Sequence, residues 1–377
     1  MKITSVSSRT ERRLFVCDRK MKLDKMKKFL HILLIIITVL SALLAVAGFA
    51  SGHIHPDVGE WIAFPGLILL PVLAANVLIG IIWWLVKSNW GWLSVAAVLL
   101  NIGFIFSMFQ FRWKKEIEES DDQTIKVITY NVNNFHSYGI NTFQEIVSWI
   151  NGERPDIVCF QECPGDFFIP DDSLAKTFSF MPYFCSTQNA SSNGKLVVFS
   201  RFPILNYEPI YYPESANKSM MATLDINGDT VHLFTNHLQT TSVNAVKPRL
   251  YQAREERNSQ ESTEAAFQMA FQMKRNFAIR ATQADFLRQL MDNASGDIIV
   301  CGDFNDTPAS YVYHHIKGDL TDGFRDCGTG FGYTFRELKR IFRIDYILYS
   351  KNFKGLWYNS PDLPWSDHKP VVCILRR

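Results

Sequence analysis

The sequence predicts an α/β domain preceded by three transmembrane helices. Two observations lead to this fold class. The first third of the chain contains three long runs without Asp, Glu, Lys or Arg, whereas the remainder alternates short apolar runs with helical patterns. The charge divides at the same place, because residues 1–120 carry 14 Lys and Arg against 8 Asp and Glu (+6) and residues 121–377 carry 25 against 29 (−4). We therefore expect two physically different parts.

Each of the three apolar runs is long enough to cross a bilayer. A helix of about twenty residues spans the roughly 30 Å of hydrocarbon. The runs are apolar on all sides, and tryptophans lie near their ends, as is typical of membrane interfaces. Pro65 and Pro71 are expected to kink the second run, and a buried globular hairpin is the less favoured alternative. The predicted spans are Phe29–Ala50, Trp61–Val86 and Trp90–Phe109.

The distribution of Lys and Arg predicts the orientation of these spans. Residues 1–28 hold ten of them and Ser51–Glu60 holds none, which indicates a cytoplasmic N-terminus. Three spans then place the C-terminal part in the periplasm or outside the cell, anchored to the inner or plasma membrane. The first span could instead be a signal peptide, because Ala45-Val46-Ala47 resembles a cleavage site, and cleavage would leave this sidedness unchanged.

Short apolar or alternating runs predict the strands of the second part. Each run is bounded by Asn, Asp, Gly or Pro, which favour turns. Two of the runs are joined at Asn227-Gly228, a tight-turn pair, and are therefore expected to form an antiparallel hairpin. The predicted strands are Ile125–Tyr130, Asp156–Phe160, Lys195–Ser200, Met220–Ile226, Thr230–Thr235, Asp297–Cys301, Arg343–Leu348 and Pro370–Leu375.

Helical patterns lie between some of these strands. Apolar residues recur at three- and four-residue spacing in Thr142–Asn151 and most clearly in Phe267–Met291. Ser242–Glu264, rich in Arg, Glu, Gln and Ser, is predicted to be a solvated insertion. The predicted parts of the chain are a basic cytoplasmic N-terminus at 1–28, a membrane anchor at 29–111, a linker at 112–123 that includes the acidic run Glu116–Gln123, and the α/β domain at 124–377.

The seven cysteines do not indicate a thiolate metal site. No Cys-x-x-Cys pair of the kind that binds metal occurs, so zinc and iron–sulfur centres are unsupported. Cys159, Cys301 and Cys373 lie in runs predicted to be buried strands, where cysteine behaves as a small hydrophobic residue.

Polar residues stand directly at the ends of five predicted strands. Each one alone is most simply a cap or a turn former. If the strands lie side by side, however, their ends converge on one rim. Carboxylates, amides and imidazoles without thiolates are a ligand set that suits Mg²⁺ or Mn²⁺. The strand-end residues are Asn131, Glu162, Asn236, His237, Asp303, Asn305, Asp367 and His368.

These residues lie in five segments, and a sixth, which contains Asp345, stands among them. The six segments are Val127–Val132, Cys159–Glu162, Thr235–Leu238, Gly302–Pro308, Arg343–Ile347 and Ser366–Pro370. In this order the segments resemble the motifs of the endonuclease/exonuclease/phosphatase superfamily, the DNase I-like metal-dependent phosphoesterases. The resemblance covers about residues 125–375. It implies a four-layer α/β/β/α sandwich of two mixed sheets, and it makes the α/β domain a catalytic domain that hydrolyses phosphoester bonds.

The resemblance also implies a metal site. Glu162 would be the main ligand, with Asn131 and Asp367 nearby, and the expected cofactor is Mg²⁺ or Mn²⁺. General chemistry agrees with this, because phosphoryl transfer depends on in-line positioning and on neutralising charge that is spread over several oxygens.

Five further residues receive catalytic roles from the resemblance. Asp303 would orient and deprotonate the attacking water, and Asn305 would hold that water or a phosphoryl oxygen. His368 would donate to a non-bridging oxygen while Asp345 keeps its ring in orientation, and His237 would contact the same phosphoryl group. A carboxylate behind a histidine fixes its tautomer and favours the imidazolium form.

Simpler explanations remain open for two of these residues. Asp345 lies in an apolar strand and could form a structural salt bridge with Arg343 or Arg340. His237 could be an ordinary buried histidine. Asp322, outside the motifs, is expected only to cap or to turn.

The charge of the second part bears on the substrate. A nuclease needs a cationic path for the phosphate backbone, whereas residues 121–377 are acidic overall and have no dense basic cluster near the motifs. A small or lipid phosphodiester or monoester is therefore favoured, with the lipid bilayer as a second partner and nucleic acid less favoured. The alternatives are a membrane-anchored endonuclease or exonuclease and a non-catalytic membrane interaction protein.

Overall fold

The computed structural model describes residues 4–113, 124–187, 194–241, 252, 255, 256 and 258–377, with side chains from residue 19 onward. The predicted acidic run Glu116–Gln123 lies outside these residues. The described chain forms two compact units. The first unit contains the chain up to Ala47 together with Leu69–Asn101, and the second contains Gly48–Ile68 and Ile102–Arg377.

The elements of the described chain follow in order. The helices are α1 (Thr4–Ala50), α2 (Ala63–Leu67), α3 (Leu69–Leu85), α4 (Gly91–Leu100), α5 (Ile102–Met108), α6 (Phe143–Glu153), α7 (Asp171–Leu174), α8 (Ser259–Asn293), α9 (Tyr311–Lys317) and α10 (Gly323–Cys327). The strands are β1 (Phe109–Gln110), β2 (Thr124–Asn131), β3 (His136–Ser137), β4 (Ile140–Asn141), β5 (Ile157–Cys163), β6 (Tyr183–Ser186), β7 (Lys195–Ser200), β8 (Ile204–Tyr211), β9 (Lys218–Ile226), β10 (Asp229–His237), β11 (Asp297–Asp303), β12 (Thr321–Asp322), β13 (Gly330–Phe331), β14 (Asp345–Tyr349), β15 (Lys354–Asn359) and β16 (Val371–Arg376).

Among the described residues, one helix is by itself long and apolar enough to cross a membrane, over Arg19–Ala50. The prediction of three continuous spans is therefore wrong for the second and third. The second divides into α2 and α3, and Pro71, which has no N–H to donate, lies in the first turn of α3. The third divides into α4 and α5, which meet at an angle of 61°. Asn101 lies at this break, where its side chain donates to the Ala97 carbonyl at 3.0 Å.

The first unit has polar contacts inside and apolar side chains outside. Asn76 Nδ2 donates to Ser41 Oγ at 2.8 Å, and Trp83 Nε1 donates to Thr38 Oγ1 at 2.8 Å. The exposed residues of the unit, by contrast, include large apolar side chains such as Trp84. Buried polar contacts with an apolar exterior are typical of helices that pack in lipid.

Two six-stranded mixed sheets form the centre of the second unit. The first sheet has the order β12-β14-β11-β10-β9-β8, and the second has the order β15-β16-β2-β5-β7-β6. The pairs β10–β11 and β2–β5 are parallel, and the other neighbours are antiparallel. The expected hairpin joins β9 to β10, with Asn227 and Gly228 both at positive φ. An α/β fold with two mixed sheets is therefore confirmed.

Neighbouring side chains along each strand belong to different layers of the core. On β2, Val127 packs between the two sheets, whereas Ile128 packs with the residues of α6 and α7. On β11, Ile299 packs between the sheets, whereas Val300 packs with α8 and α9. The period of two along a strand thus produces four layers, with helices on the outer face of each sheet.

The region predicted as an insertion, Ser242–Glu264, is described only in part. Its last residues, Ser259–Glu264, form the start of α8, where Asn258 Oδ1 accepts a hydrogen bond from the Glu261 N–H at 3.1 Å. Their side chains are exposed or half-buried. The helix therefore begins eight residues before the predicted Phe267, because a polar cap and a solvated first turn carry no apolar periodicity.

Two segments outside the α/β sequence pattern belong to the second unit. We call Gly48–Ile68 the interhelix loop and Ile102–Trp113 the return segment. The interhelix loop contacts the core through Ser51 Oγ, which lies 3.0 Å from the Ala309 carbonyl oxygen. The return segment supplies β1, which pairs with β13.

Candidate active site

Strand register aligns three site residues across the first sheet. His237 ends β10 and lies opposite Asp303, which ends the parallel strand β11. Asp303 in turn lies opposite Asp345, the first residue of the antiparallel strand β14. Asn131 ends β2 in the second sheet, and its side chain reaches Asp303. The structure therefore brings these four residues to one rim. The strand-end positions of Asn131, His237 and Asp303 predict this, whereas Asp345 was expected inside its strand and is instead its first residue.

Glu162 lies on a β-bulge at the same rim. The pairing of β5 with β7 shifts between Phe160 and Cys163, and Glu162 has a φ of 51°. Gly194 makes this geometry possible, since a Cβ atom there would lie 2.8 Å from the Glu162 Cα. A non-glycine residue in the left-handed region costs about 1–3 kcal/mol and is concentrated at functional sites.

Asn131 connects the two sheets at the rim. Its Nδ2 donates to Glu162 Oε1 at 3.0 Å and to Asp303 Oδ2 at 3.0 Å. Its Oδ1 accepts from the Asn133 N–H at 3.1 Å. The amide fixes both carboxylates in place, but it adds no charge that would neutralise them.

His368 is oriented by Asp345. Its Nδ1 lies 3.0 Å from Asp345 Oδ2, and its Nε2 lies 3.7 Å from Asp303 Oδ2. The alternative of a structural salt bridge from Asp345 is not found, because Arg343 pairs with Asp322 at 2.9 Å and Arg340 pairs with Asp362 at 3.2 Å.

The remaining strand-end residues divide into two groups. Asn305 belongs to the site, because its backbone N–H donates to Asp303 Oδ1 at 2.8 Å. Asp367 Oδ1 lies 3.2 Å from Ser366 Oγ. Asn236 does not join the cluster, since its Nδ2 donates to the Phe234 and Cys301 carbonyls inside the first sheet.

Burial and neighbouring charges shift the pKa values of His237 and His368 in opposite directions. Burial of the His237 ring lowers its pKa to about 4, so the ring is neutral at pH 7. Burial also disfavours the charged form of His368, but the carboxylates of Asp345 and Asp303 outweigh it and hold the His368 pKa well above its usual value. His368 is therefore an imidazolium at neutral pH.

The pKa values of the two central carboxyl groups, those of Asp303 and Glu162, are both raised. Burial raises the pKa of Asp303 to about 6, despite the nearby His368. Burial also raises the pKa of Glu162, and the Asp367 carboxylate adds to this shift. Both carboxyl groups therefore hold a negative charge less readily than a carboxyl group in water does.

A divalent cation fits this arrangement. Glu162, His237 and Asp303 offer ligand atoms that all lie within 4.8 Å of one another. His237 Nε2 is buried, lies 3.4 Å from Glu162 Oε1 and has no hydrogen-bond partner among the described residues. The converging carboxylates match the oxygen ligands that Mg²⁺ and Mn²⁺ prefer, and the unpartnered imidazole nitrogen offers a further ligand atom of a softer type.

Sequence reasoning missed two residues that support the site. Ser366 Oγ donates to the Asn131 carbonyl at 2.7 Å and accepts from the His368 N–H at 3.2 Å. Lys218 lies opposite His237 on β9, and burial lowers its pKa. Ser366 stands inside a quoted motif and could have been found there, whereas a single Lys before a strand carries no comparable signal.

Comparisons with known proteins give the following similarities. A family model described as the endonuclease/exonuclease/phosphatase family matches residues 128–368, and one described as a domain of unknown function matches residues 28–108. No curated protein matches the chain. Similar solved structures include an endonuclease/exonuclease/phosphatase from Beutenbergia cavernae, with 18% identity, a TM-score of 0.49 and coverage of 67% of this chain and 72% of that one. Others are the human nocturnin catalytic domain with bound sulfate (19% identity, TM-score 0.48, coverage 67% and 94%) and a mannosyl-6-phosphatase from Bacteroides thetaiotaomicron (17% identity, TM-score 0.46, coverage 67% and 100%).

The first family match decides the classification. It covers well over half of the chain. It also includes every residue of the site, from Asn131 at the end of β2 to His368 before β16. The chain therefore belongs to the endonuclease/exonuclease/phosphatase family.

Proposed function

We propose that this protein is a membrane-tethered, divalent-metal-dependent phosphoesterase that hydrolyses small or lipid phosphoesters. The observation that carries the proposal is the cluster of Glu162, Asp303, Asn131 and the Asp345–His368 pair at one rim of the two sheets. Family membership supports it, because the family consists of metal-dependent phosphoesterases and nucleases.

The metal would be held next to Glu162. Glu162 is the main ligand in this proposal, with Asn131 fixing its carboxylate and Asp367 adding negative charge nearby. The cluster of ligand atoms adds His237 and Asp303 as candidates. When bound, a divalent ion neutralises charge that develops on the phosphoryl oxygens.

Asp303 accepts the proton of the attacking water. Its pKa of about 6 leaves it ionised at pH 7 and still basic enough for proton transfer, which is most efficient when the pKa lies near the working pH. Asn131 and the Asn305 N–H each occupy one carboxylate oxygen and so fix its direction. The Asn305 side chain, whose Nδ2 donates to the Leu238 carbonyl at 3.0 Å, is proposed to hold the water or a phosphoryl oxygen.

The two histidines contact the phosphoryl group in different protonation states. His368 donates from Nε2 as an imidazolium, with Nδ1 held by Asp345. A preorganised cation stabilises the charge that accumulates in the transition state. His237 stays neutral, and its unpartnered Nε2 is available to the phosphoryl group or to the metal.

A panel of substrates tests the proposed activity. The full-length protein in detergent with Mg²⁺ is assayed against para-nitrophenyl phosphate, bis(para-nitrophenyl) phosphate, phospholipid vesicles and plasmid DNA, with and without EDTA. We expect EDTA-sensitive hydrolysis of a small or lipid ester. Degradation of DNA alone would favour the nuclease alternative, and inactivity toward the whole panel would favour the non-catalytic one.

The membrane tether is supported by the helix over Arg19–Ala50 and by the apolar exterior of the first unit. The interhelix loop and the return segment both belong to the second unit. With α1 as the crossing and a basic cytoplasmic N-terminus, the second unit is external or periplasmic.

Fusions to the C-terminus test this sidedness. We expect alkaline phosphatase fused after Arg377 to be active and a fluorescent protein fused there to be dark. The reverse result would place the catalytic unit in the cytoplasm.

A further inference from the structure

Four large apolar side chains stand exposed on two loops at the catalytic rim. Tyr138 lies between β3 and β4, and Ile140 begins β4, in the hairpin that follows Asn131; they are 88% and 65% exposed. Phe167 and Phe168 lie in the loop that follows β5 and are 92% and 77% exposed. Because β2 and β5 are parallel neighbours, both loops leave the second sheet at the same edge. We call these four residues the apolar ridge.

Specific contacts hold both loops in place. In the hairpin, Ser137 Oγ donates to the Pro364 carbonyl at 2.8 Å. Beside Phe167, the carboxylate of Asp166 pairs with the buried Lys195 ammonium at 2.5 Å. Large apolar side chains on loops that are fixed in this way are a feature of surfaces that bind an apolar partner.

The interhelix loop and the return segment each contact a residue close in sequence to a strand of the first sheet. The interhelix loop contacts Ala309, four residues after Asn305, through Ser51. The return segment accepts a hydrogen bond at the Ser107 carbonyl from Arg343, two residues before Asp345, at 2.9 Å.

A turn with two basic residues, of which Arg340 is paired with Asp362, follows Arg336, whose backbone N–H donates to the Asp367 carbonyl at 2.8 Å. Leu338 is exposed and is followed by Lys339 and Arg340, in the segment that leads into β14. Exposed apolar side chains next to Lys and Arg are typical of surfaces that bind the head-group region of a bilayer.

We propose that the apolar ridge enters the surface of the bilayer that tethers the chain, and that the substrate is a phosphoester carried by a lipid in that bilayer. This rests on the membrane tether and the phosphoesterase activity proposed above. The phosphate group would reach the cluster of Glu162, Asp303 and His368 while the acyl chains remain in the membrane. Contact with the bilayer at the rim explains why large apolar side chains are kept exposed there.

A fluorescent label tests contact with the bilayer without relying on activity. Phe168→Cys in the full-length protein is labelled with an environment-sensitive dye and reconstituted into phosphatidylcholine–phosphatidylglycerol vesicles that contain lipid with a nitroxide near the head group. Leu205→Cys is the matched control, since Leu205 is also exposed but lies at the end of β8 away from the rim. Label incorporated into the parent protein is subtracted.

We expect the label at residue 168 to be quenched about two-fold more than the label at residue 205, because only the ridge lies among the lipid head groups. Equal quenching of the two labels would overturn the proposal.

Two matched substrates test the consequence for activity. Methyl para-nitrophenyl phosphate is soluble, and hexadecyl para-nitrophenyl phosphate has the same leaving group but resides in vesicles; for a monoesterase, methyl and hexadecyl phosphate replace them. We expect F167S/F168S to lose about ten-fold in kcat/KM on the hexadecyl ester, because the exposed apolar contact is removed, and to retain its activity on the methyl ester. An equal loss on both esters, or none on either, would contradict the proposal.

The two proposals fail in different ways. Absence of EDTA-sensitive hydrolysis of every ester would remove the proposed activity, and the label would still decide whether the ridge contacts lipid. Normal hydrolysis together with an unquenched label would leave the activity standing and remove the lipid-facing rim.

Discussion

Two buried charge clusters lie side by side in the second unit, and they differ in their balance of charge. Asp322 is paired with one guanidinium, that of Arg343, and also accepts a hydrogen bond from Tyr313 at 2.6 Å. The catalytic cluster instead sets several carboxylates against a single imidazolium, His368. Burial alone thus does not mark the functional site. An excess of buried negative charge distinguishes the catalytic cluster.

The carboxyl pKa values express this difference. Burial acts to raise the pKa in both clusters. At Asp322 the guanidinium of Arg343 outweighs burial and lowers the pKa, whereas at Asp303 burial prevails and the pKa rises to about 6. The balanced Asp322–Arg343 pair therefore stabilises the fold. Burial of the carboxylates in the catalytic cluster costs folding free energy, which a bound cation can offset.

Asp303→Asn, in the catalytic cluster, is expected to have the largest effect on activity. We expect kcat to fall about 10³–10⁴-fold, since the residue that takes the proton from water is lost. The melting temperature of the metal-free protein should not fall, because one of several repelling carboxylates is removed. Steady-state kinetics and a thermal melt measure the two effects, and a large loss of stability with activity retained would reverse the assignment.

Asp322→Asn tests the balanced pair. We expect a loss of about 3 kcal/mol in unfolding free energy, because the buried Arg343 charge loses its counter-ion. Urea unfolding followed by near-ultraviolet circular dichroism measures it. Asp319→Asn is the matched control, since Asp319 is fully exposed and its contact with Lys351 at 4.0 Å should contribute little.

Lowering the pH should reduce the unfolding free energy of the wild type more than it reduces that of Asp322→Asn. The folded pKa of Asp322 lies below the ordinary value of 3.8, so the pair stabilises the fold above that value and this contribution is lost as pH falls through the folded pKa. Parallel acid dependence in the two proteins would show that the pair contributes nothing.

His368→Ala removes the cation of the unbalanced cluster. We expect kcat to fall about 10²-fold with little change in KM, because the imidazolium acts on charge that develops in the transition state. A change confined to KM would instead make His368 a ground-state binding residue. His232→Ala is the control, since His232 lies on β10 away from the rim and its Nε2 lies 3.0 Å from the Ser295 carbonyl oxygen.

Glu162→Gln tests the binding of the cation. Of these substitutions it is expected to change stability least. Mg²⁺ should raise the melting temperature of the wild type, and the variant should need about ten-fold more Mg²⁺ for the same rise. Glu208→Gln, at an exposed position on β8, should respond like the wild type. An unchanged response of Glu162→Gln would remove Glu162 from the metal site.

Much of the catalytic rim could be predicted because its residues stand at strand ends. Period-two apolar patterns located β2, β5, β10 and β11, and the polar residue after each strand then had to lie at a common edge. The four edge strands of the two sheets, β6, β8, β12 and β15, were missed. β8 contains Pro209 and alternates exposed residues with little apolar pattern, as is usual for a strand with one unpaired side.

Long-range partners were beyond sequence reasoning. Arg343 stands two residues from Asp345, yet it pairs with Asp322, because tertiary packing places that carboxylate against it. Composition located the apolar helices, but the break at Asn101 depends on a side chain that competes for a backbone carbonyl.

The contact between Ser51 and Ala309 joins residues that are 258 positions apart. During synthesis the interhelix loop is complete long before α9 exists, and at ordinary elongation rates the interval is roughly 10–50 s. In a membrane-tethered chain, insertion of the apolar helices precedes completion of the catalytic unit. The second unit can fold completely only if its later residues emerge on the side of the membrane where the interhelix loop already lies. Correct insertion thereby becomes a condition for making an active enzyme.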